Sequence, residues 1–297
     1  MVIRSPIGGD GAVFAADIIN KVIDERNQLP SFIAIDNQNI VCTGFHQPGY
    51  CAERFAAAGY SCLVFDYRHF GDSDGEPRQL LSIRRQLDDW AAAIAFARTL
   101  SGVDTSRIVL WGTSFGGGHV LVAGERDGRV AAVISQCPFT SGTASTAALG
   151  VVSGAKVTVR ALADLAGSAL GRPPVTVGLA GASGSAALMT APDAVSGYLP
   201  LVPDDLEFIN EVAARVGLAI PLHTPGRALR KLTCPTLVCI CDKDTVAPAG
   251  PTARYARRAP AARVIRYPAG HFDIYVGADF ERVVADQLEF LRGTVPV

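Results

Sequence analysis

Residues 112–116 read Gly-Thr-Ser-Phe-Gly, a serine with a glycine two positions to either side. That spacing suits a hydroxyl perched on a sharp strand-to-helix turn, where close approach of the backbone leaves almost no room for flanking side chains. The apolar run Arg107–Trp111 precedes it as a strand, and a helix from about Phe115 to Gly124 is predicted to follow. The free N–H groups of that helix's first turn, with the positive end of its dipole, would face any negative charge forming beside Ser114.

A serine hydroxyl is a weak nucleophile at neutral pH and needs a base, which in turn needs a carboxylate to orient it and stabilise its cation. In this context the partners are expected in the order serine, acid, histidine, each just beyond a strand. Asp244 follows the run Cys234–Asp242, and His271 follows Ala262–Pro268. Of the other four histidines, His119 falls one turn into the helix after Ser114 and is expected to pack. His69 precedes the turn "GDSDG", His223 lies in a later insertion, and His46 sits in a loop after an early strand, facing the rim of the site. Asp242 competes with Asp244 for the acid role; it ends its strand and suits bracing the turn, so Asp244 is preferred.

These residues need a scaffold. Short β-branched runs alternate with longer helical patterns, the signature of a mostly parallel sheet built from strand-helix-strand units. Strands are predicted at 61–66, 107–111 and 129–136, with a helix over 80–100, and the three are read as consecutive strands of one sheet. From about 139 to 230 the chain becomes rich in Gly, Ala, Ser, Thr and Pro, and reads as an insertion able to act as a lid. The alternation resumes with strands at 234–242 and 262–268, a helix near 250–259 and a closing helix over 280–292. Nearer the start, residues 14–25 space Phe14, Ile18 and Val22 as an amphipathic helix. "FIAID" and "NIVCTGF" read as strands.

Composition narrows the function classes. With 27 Lys plus Arg against 28 Asp plus Glu and a formal net charge of -1, nothing favours nucleic acid or an anionic membrane surface. The N-terminus has no secretory pattern and no stretch approaches a membrane span, so a cytoplasmic protein is expected. The seven cysteines, at 42, 51, 62, 137, 234, 239 and 241, lack CxxC spacing and mostly fall in apolar runs, so buried thiols are expected rather than disulfides or a metal site. Asp72 and Asp74 read as a solvated turn. Trp90 and Phe96 read as core, and Arg84-Arg85 with Asp88-Asp89 as helix-surface pairs. Gly116 to Gly118 lack the GxxxxGK pattern of a phosphate cradle, so no nucleotide cofactor is indicated.

Taken together, "VFDYRHFGDSDGEPR", "LWGTSFGGGH", "CDKDTVAP" and "PAGHF" resemble the α/β-hydrolase superfamily, from about Ile40 to Val295. Within it, "YRHFGDSDGEPRQL" and "ISQCPFT" resemble a group of esterase-like hydrolases and polyketide-releasing acyltransferases. The resemblance implies an α/β fold with a mostly parallel sheet flanked by helices, and a cap inserted between the third-last and second-last strands. The core would be 1–138 and 231–297, the cap 139–230. It implies Ser114 as nucleophile, His271 as general base then acid, and Asp244 orienting His271. It also implies an oxyanion hole from the N–H of Phe115 and of a residue after an early strand. There the family's usual His-Gly is replaced by Thr43-Gly44, which makes Phe45 the second donor.

The expected activity is cleavage of a carboxylic ester or thioester through an acyl-enzyme, with no cofactor and no metal, on a small acyl substrate. Resolution of the acyl-enzyme by an alcohol or amine would make the same machinery a transferase. Peptidase and carbon-carbon hydrolase chemistry use the same groups. The altered "CTGF" strand motivates a third alternative, a catalytically weak binding protein on this scaffold. The Ala, Leu and Val of the insertion, with Met189 and Tyr198, predict an apolar acyl pocket. The helix at 14–25 could cover the sheet edge or meet a second subunit, making a homodimer possible.

Overall fold

The computed structural model describes residues 2–6, 32–36, 51–71, 73–202 and 208–297. In chain order its elements are β1 (Val2–Pro6), β2 (Phe32–Asp36), α1 (Cys51–Ala57), β3 (Ser61–Asp66), α2 (Ile83–Ala97), β4 (Ile108–Thr113), α3 (Ser114–Asp127) and β5 (Ala132–Gln136). There follow α4 (Gly142–Leu149), α5 (Val151–Ala169), β6 (Thr176–Ala180), β7 (Ala187–Met189), α6 (Ala194–Tyr198), β8 (Glu211–Ala213) and α7 (Val216–Ala219). The chain closes with β9 (Thr236–Cys241), α8 (Ala249–Ala256), β10 (Ala262–Tyr267) and α9 (Gly277–Thr294).

Among the described residues, seven strands form one sheet in the order β1-β3-β2-β4-β5-β9-β10, and every pairing is parallel. Strands β3, β4, β5 and β9 are buried on both faces. Along β4, Ile108 and Leu110 enter one apolar cluster while Val109 and Trp111 enter the other; along β9, Val238 and Ile240 oppose Leu237, Cys239 and Cys241. Side chains alternate between faces with period two, so a strand covered on both sides reads as the continuous apolar run seen in the sequence. The three strands read as consecutive all join this sheet; β4 and β5 are neighbours, while β2 lies between β3 and β4. Val2–Pro6 pairs in parallel with β3 at the end of the described strand order. The helix expected at 14–25 and the strand expected at 39–45 lie outside the described residues.

Trp90 and Phe96 are buried as expected. The surface pairing on α2 is only half right. Arg84 does reach Asp88 at 3.7 Å, but Asp89 is fully buried and takes Arg68 Nε at 2.6 Å and the Arg68 N–H at 3.1 Å. Arg85 turns to His69, its NH1 lying 2.6 Å from the imidazole Nε2. Asp74 is exposed, whereas Asp72 lies outside the described residues. The six described cysteines are free thiols, five of them buried; Cys42 is not described.

Between β5 and β9, the third-last and second-last strands of the sheet, the chain builds α4 to α7 and a second small sheet of order β7-β6-β8. Asp164 of α5 pins this region: fully buried, it accepts from the N–H groups of Val175 and Arg215 and pairs with the Arg215 guanidinium at 2.7 Å. No single helix among the described residues is long and apolar enough to cross a membrane. Helices α4 and α5 reach that length only together, and they are bent by 112°.

Candidate active site

In an all-parallel sheet the strand ends collect along one edge, and three of these ends carry the site. β4 runs directly into α3, and Ser114 takes φ 53°, a left-handed conformation costly for any residue with a Cβ. The turn tolerates it because Gly112 lacks a side chain; a Cβ there would run into the Gly116 carbonyl. A Cβ at Gly118 would likewise meet the carbonyl of Phe139 on the β5 exit loop, so the glycine run lets α3 seat against that loop.

The loop after β10 brings His271 Nε2 to 2.9 Å from Ser114 Oγ. The loop after β9 brings Asp244 Oδ2 to 2.6 Å from His271 Nδ1. The other carboxylate oxygen, Oδ1, accepts from the N–H groups of Val246 at 2.9 Å and Ala247 at 2.6 Å. Both acceptors of Asp244 are thereby committed, which fixes Nδ1 as the protonated nitrogen and leaves Nε2 to accept from the serine hydroxyl. Asp242 takes the other role, pairing with Arg266 at 2.6 Å. The order serine, acid, histidine at three strand exits is thus matched in space by Ser114, Asp244 and His271.

His271 is buried, which disfavours its cation, but the Asp244 carboxylate and the sulfur of Cys137 outweigh burial and raise its pKa above 6.5. Cys137 is the neighbour that sequence reasoning missed. It was read only as a buried thiol, yet it follows β5 directly, takes φ 32°, and brings its sulfur to within 4.8 Å of ligand atoms of Asp244 and His271. Burial works against its thiolate, but a hydrogen bond with Cys241 and the charge of His271 pull it down to about 6. Tyr275, four residues past His271, was also missed: its OH lies 2.6 Å from Thr113 Oγ1 and 3.2 Å from Cys137 Sγ. Thr113 further accepts from Gln136 Nε2 at 3.3 Å, and Gln136 Oε1 accepts from Gln287 at 2.7 Å. A buried polar chain therefore ties α9, the serine turn and the histidine loop together. An apolar pattern search cannot find such residues, because each looks like ordinary core.

Phe115 is the second residue of α3, so its N–H has no partner within the helix and is free to face charge forming at Ser114. Phe45 lies outside the described residues, as does His46. The Phe115 ring packs on His119 at 4.8 Å and Phe139 at 5.0 Å between centroids, and His223 stacks on Phe139. Both histidines are held neutral by burial, His223 down to about 4. His119 packs as expected, with Nε2 2.9 Å from Gln86 Oε1.

Ser114 and His271 open onto a cavity of about 270 Å3 whose wall includes Phe115, Met189, Tyr198 and Phe272. Among the described lining residues, His271 alone can carry a full charge at neutral pH. An uncharged group could sit here with its reacting carbon against Ser114.

The comparisons with known proteins agree with this architecture. The α/β hydrolase GrgF from Penicillium sp. sh18 superposes with a TM-score of 0.75 at 22% identity over 92% of each chain. The quorum-quenching protein AidA of Acinetobacter baumannii (strain MDR-ZJ06) is 55% identical over 246 residues, 83% of this chain and 81% of the relative. A thiohydrolase of Eupenicillium brefeldianum is 28% identical over 253 residues, 82% of this chain and 80% of its own. A family model described as "Serine aminopeptidase, S33" matches residues 45–274, and the chain belongs to that family of α/β hydrolases.

Proposed function

We propose that this protein is a cofactor-independent serine hydrolase that cleaves a carboxylic ester or thioester through an acyl-enzyme. What carries the reading is the unbroken line from Ser114 Oγ through His271 to Asp244 Oδ2 at the wall of a cavity whose described lining is mostly apolar. Ser114 Oγ bonds to the acyl carbon as its proton passes to His271 Nε2, and the carbonyl oxygen becomes an oxyanion facing the Phe115 N–H. Collapse breaks the bond to the leaving oxygen or sulfur, which takes the proton from His271. Water then attacks the acyl-enzyme, giving its proton to His271, and the acid leaves as Ser114 regains a proton. Phe45 is proposed as the second oxyanion donor.

Residues 1–138 and 231–297 form the core in this reading, and 139–230 the lid that shapes the acyl pocket. The free thiols suit a reducing compartment such as the cytoplasm. The name of the 55% identical relative adds a quorum signal to the candidate substrates, and the thiohydrolase adds a thioester.

The test is turnover of a panel of p-nitrophenyl esters and acyl thioesters. Neutral aliphatic acyl groups should be cleaved, and acyl groups ending in a carboxylate should lose at least tenfold in kcat/KM, because the described lining residues include no Lys or Arg to pair with a carboxylate away from His271. Failure to cleave any ester or thioester would remove the reading.

Tyr275 should matter to rate more than to binding. Tyr275→Phe deletes the hydroxyl that joins Thr113 to Cys137, and one buried hydrogen bond is worth about 1 kcal/mol. If that loss falls on the alignment of Ser114 with His271, kcat should drop about fivefold to tenfold with KM within twofold. Steady-state kinetics on one ester checks this; an unchanged kcat would free Tyr275 of any positioning role.

A further inference from the structure

Two glycines line the cavity from facing helices, and only one of them has a packing reason to be glycine. A Cβ on Gly217 of α7 would collide with Val157 of α5, so that position must stay bare for the helices to approach. Gly154 of α5 is different: a Cβ there would meet no atom within 4 Å. Its φ is not in the left-handed region, and it lies within a 19-residue helix where glycine is less favourable than alanine. Neither backbone conformation nor packing accounts for the missing side chain. What it leaves is open space at a residue that lines the cavity.

The rest of the α5 wall is uncharged and offers no free side-chain donor. Val157 and Thr158, three and four residues on, line the cavity with Gly154 on one helix face. The Thr158 hydroxyl donates its proton to the Gly154 carbonyl at 2.8 Å, leaving the oxygen only as an acceptor. The helix's two cations do not line the cavity; Lys156 donates to the Gly184 carbonyl and Arg160 to that of Thr176. A wall of this kind gains from apolar surface and offers nothing to an ionised or strongly polar group.

We infer that the gap at Gly154 houses the distal part of a linear aliphatic acyl chain, and that the absent side chain sets the longest chain the enzyme accepts. This rests on the ester-cleaving reading above, in which the carbonyl end of the same chain lies at Ser114. A side chain at position 154 would occupy the space of the chain's far methylenes while leaving the reacting end untouched.

The experiment compares kcat/KM for p-nitrophenyl butyrate and decanoate in the wild type, Gly154→Ala and Gly154→Leu. The decanoate-to-butyrate ratio should fall at least tenfold in Gly154→Leu and about twofold to threefold in Gly154→Ala, whose melting temperature should rise with helix propensity. Should the leucine variant fail to fold, the alanine ratio decides. An unchanged ratio, or equal loss on both esters, would overturn the inference. To separate its failure from that of the ester-cleaving reading, 1-decanol and 1-butanol are titrated calorimetrically into Ser114→Ala and into Ser114→Ala/Gly154→Leu, where no turnover is needed. Decanol should bind at least tenfold more weakly to the double variant, with butanol shifted less than twofold. Equal decanol affinity would defeat the inference even if every ester proved inert.

Discussion

Ser114→Ala should lower kcat/KM on any ester that the wild type cleaves by roughly 10^4-fold or more, the scale on which loss of a triad nucleophile acts. The same variant should lose all labelling by a fluorophosphonate. The size of the effect follows from the site's construction. His271 Nε2 has Ser114 Oγ as its polar neighbour at 2.9 Å, and without that oxygen no atom can both bond to the acyl carbon and pass a proton to the imidazole. The fold should survive, because the sharp turn depends on Gly112 and on the seating of α3 rather than on the hydroxyl. Thermal melting alongside the kinetics checks this; retained turnover in a folded variant would contradict the assignment.

Asp244→Asn should cost about 10^3- to 10^4-fold in kcat, although it changes a single atom type. The N–H groups of Val246 and Ala247 both point at Oδ1, so the asparagine must place its carbonyl oxygen there and its NH2 toward His271. Nδ1 then has to accept, the ring proton moves to Nε2, and the nitrogen facing Ser114 can no longer take a proton. A second readout separates this from simple misfolding. His271 acts as base only when neutral, so kcat/KM rises with pH through its pKa, and the Asp244 carboxylate helps raise that pKa. The wild-type acidic limb should have its midpoint above 6.5, and Asp244→Asn should move it lower. Removing the charge of Cys137 by substitution to Ser should move the midpoint in the same direction, because the sulfur also favours the imidazolium. A wild-type midpoint at or below 6.5, or one unmoved in the asparagine variant, would contradict the electrostatics.

The site's skeleton was legible because strand ends and tight turns leave local marks. The pentapeptide around Ser114 needs glycine for steric reasons, and β3, β4, β5 and β9 announce themselves as apolar runs because both faces of these strands are covered. The insertion was not legible in detail. Helix α5 buries Ser153, Val157, Ala161 and Asp164 while leaving Val151, Val152, Val159, Leu162 and Leu165 exposed. Two of the four residues on its buried face are polar while five large apolar ones point out, so its apolar pattern does not mark the side that packs. β7 and β8 are three residues each, too short for alternation to register. Asp89 misled for a related reason: its spacing from Arg85 fits a surface pair, but Arg68 arrives from a different element to claim it. The same holds for Cys137 and Tyr275, whose roles exist only once β5 and the histidine loop are folded side by side.

The central claim is that Ser114 forms a covalent acyl intermediate with His271 as its base, and peptide mass spectrometry on acid-quenched enzyme tests it most directly. Mixing the wild type with excess of a slowly hydrolysed ester and quenching within one turnover should give the acyl mass on the peptide holding Ser114, and none in Ser114→Ala. Acyl mass on another residue, or ester turnover with no adduct on Ser114 at any quench time, would contradict the account.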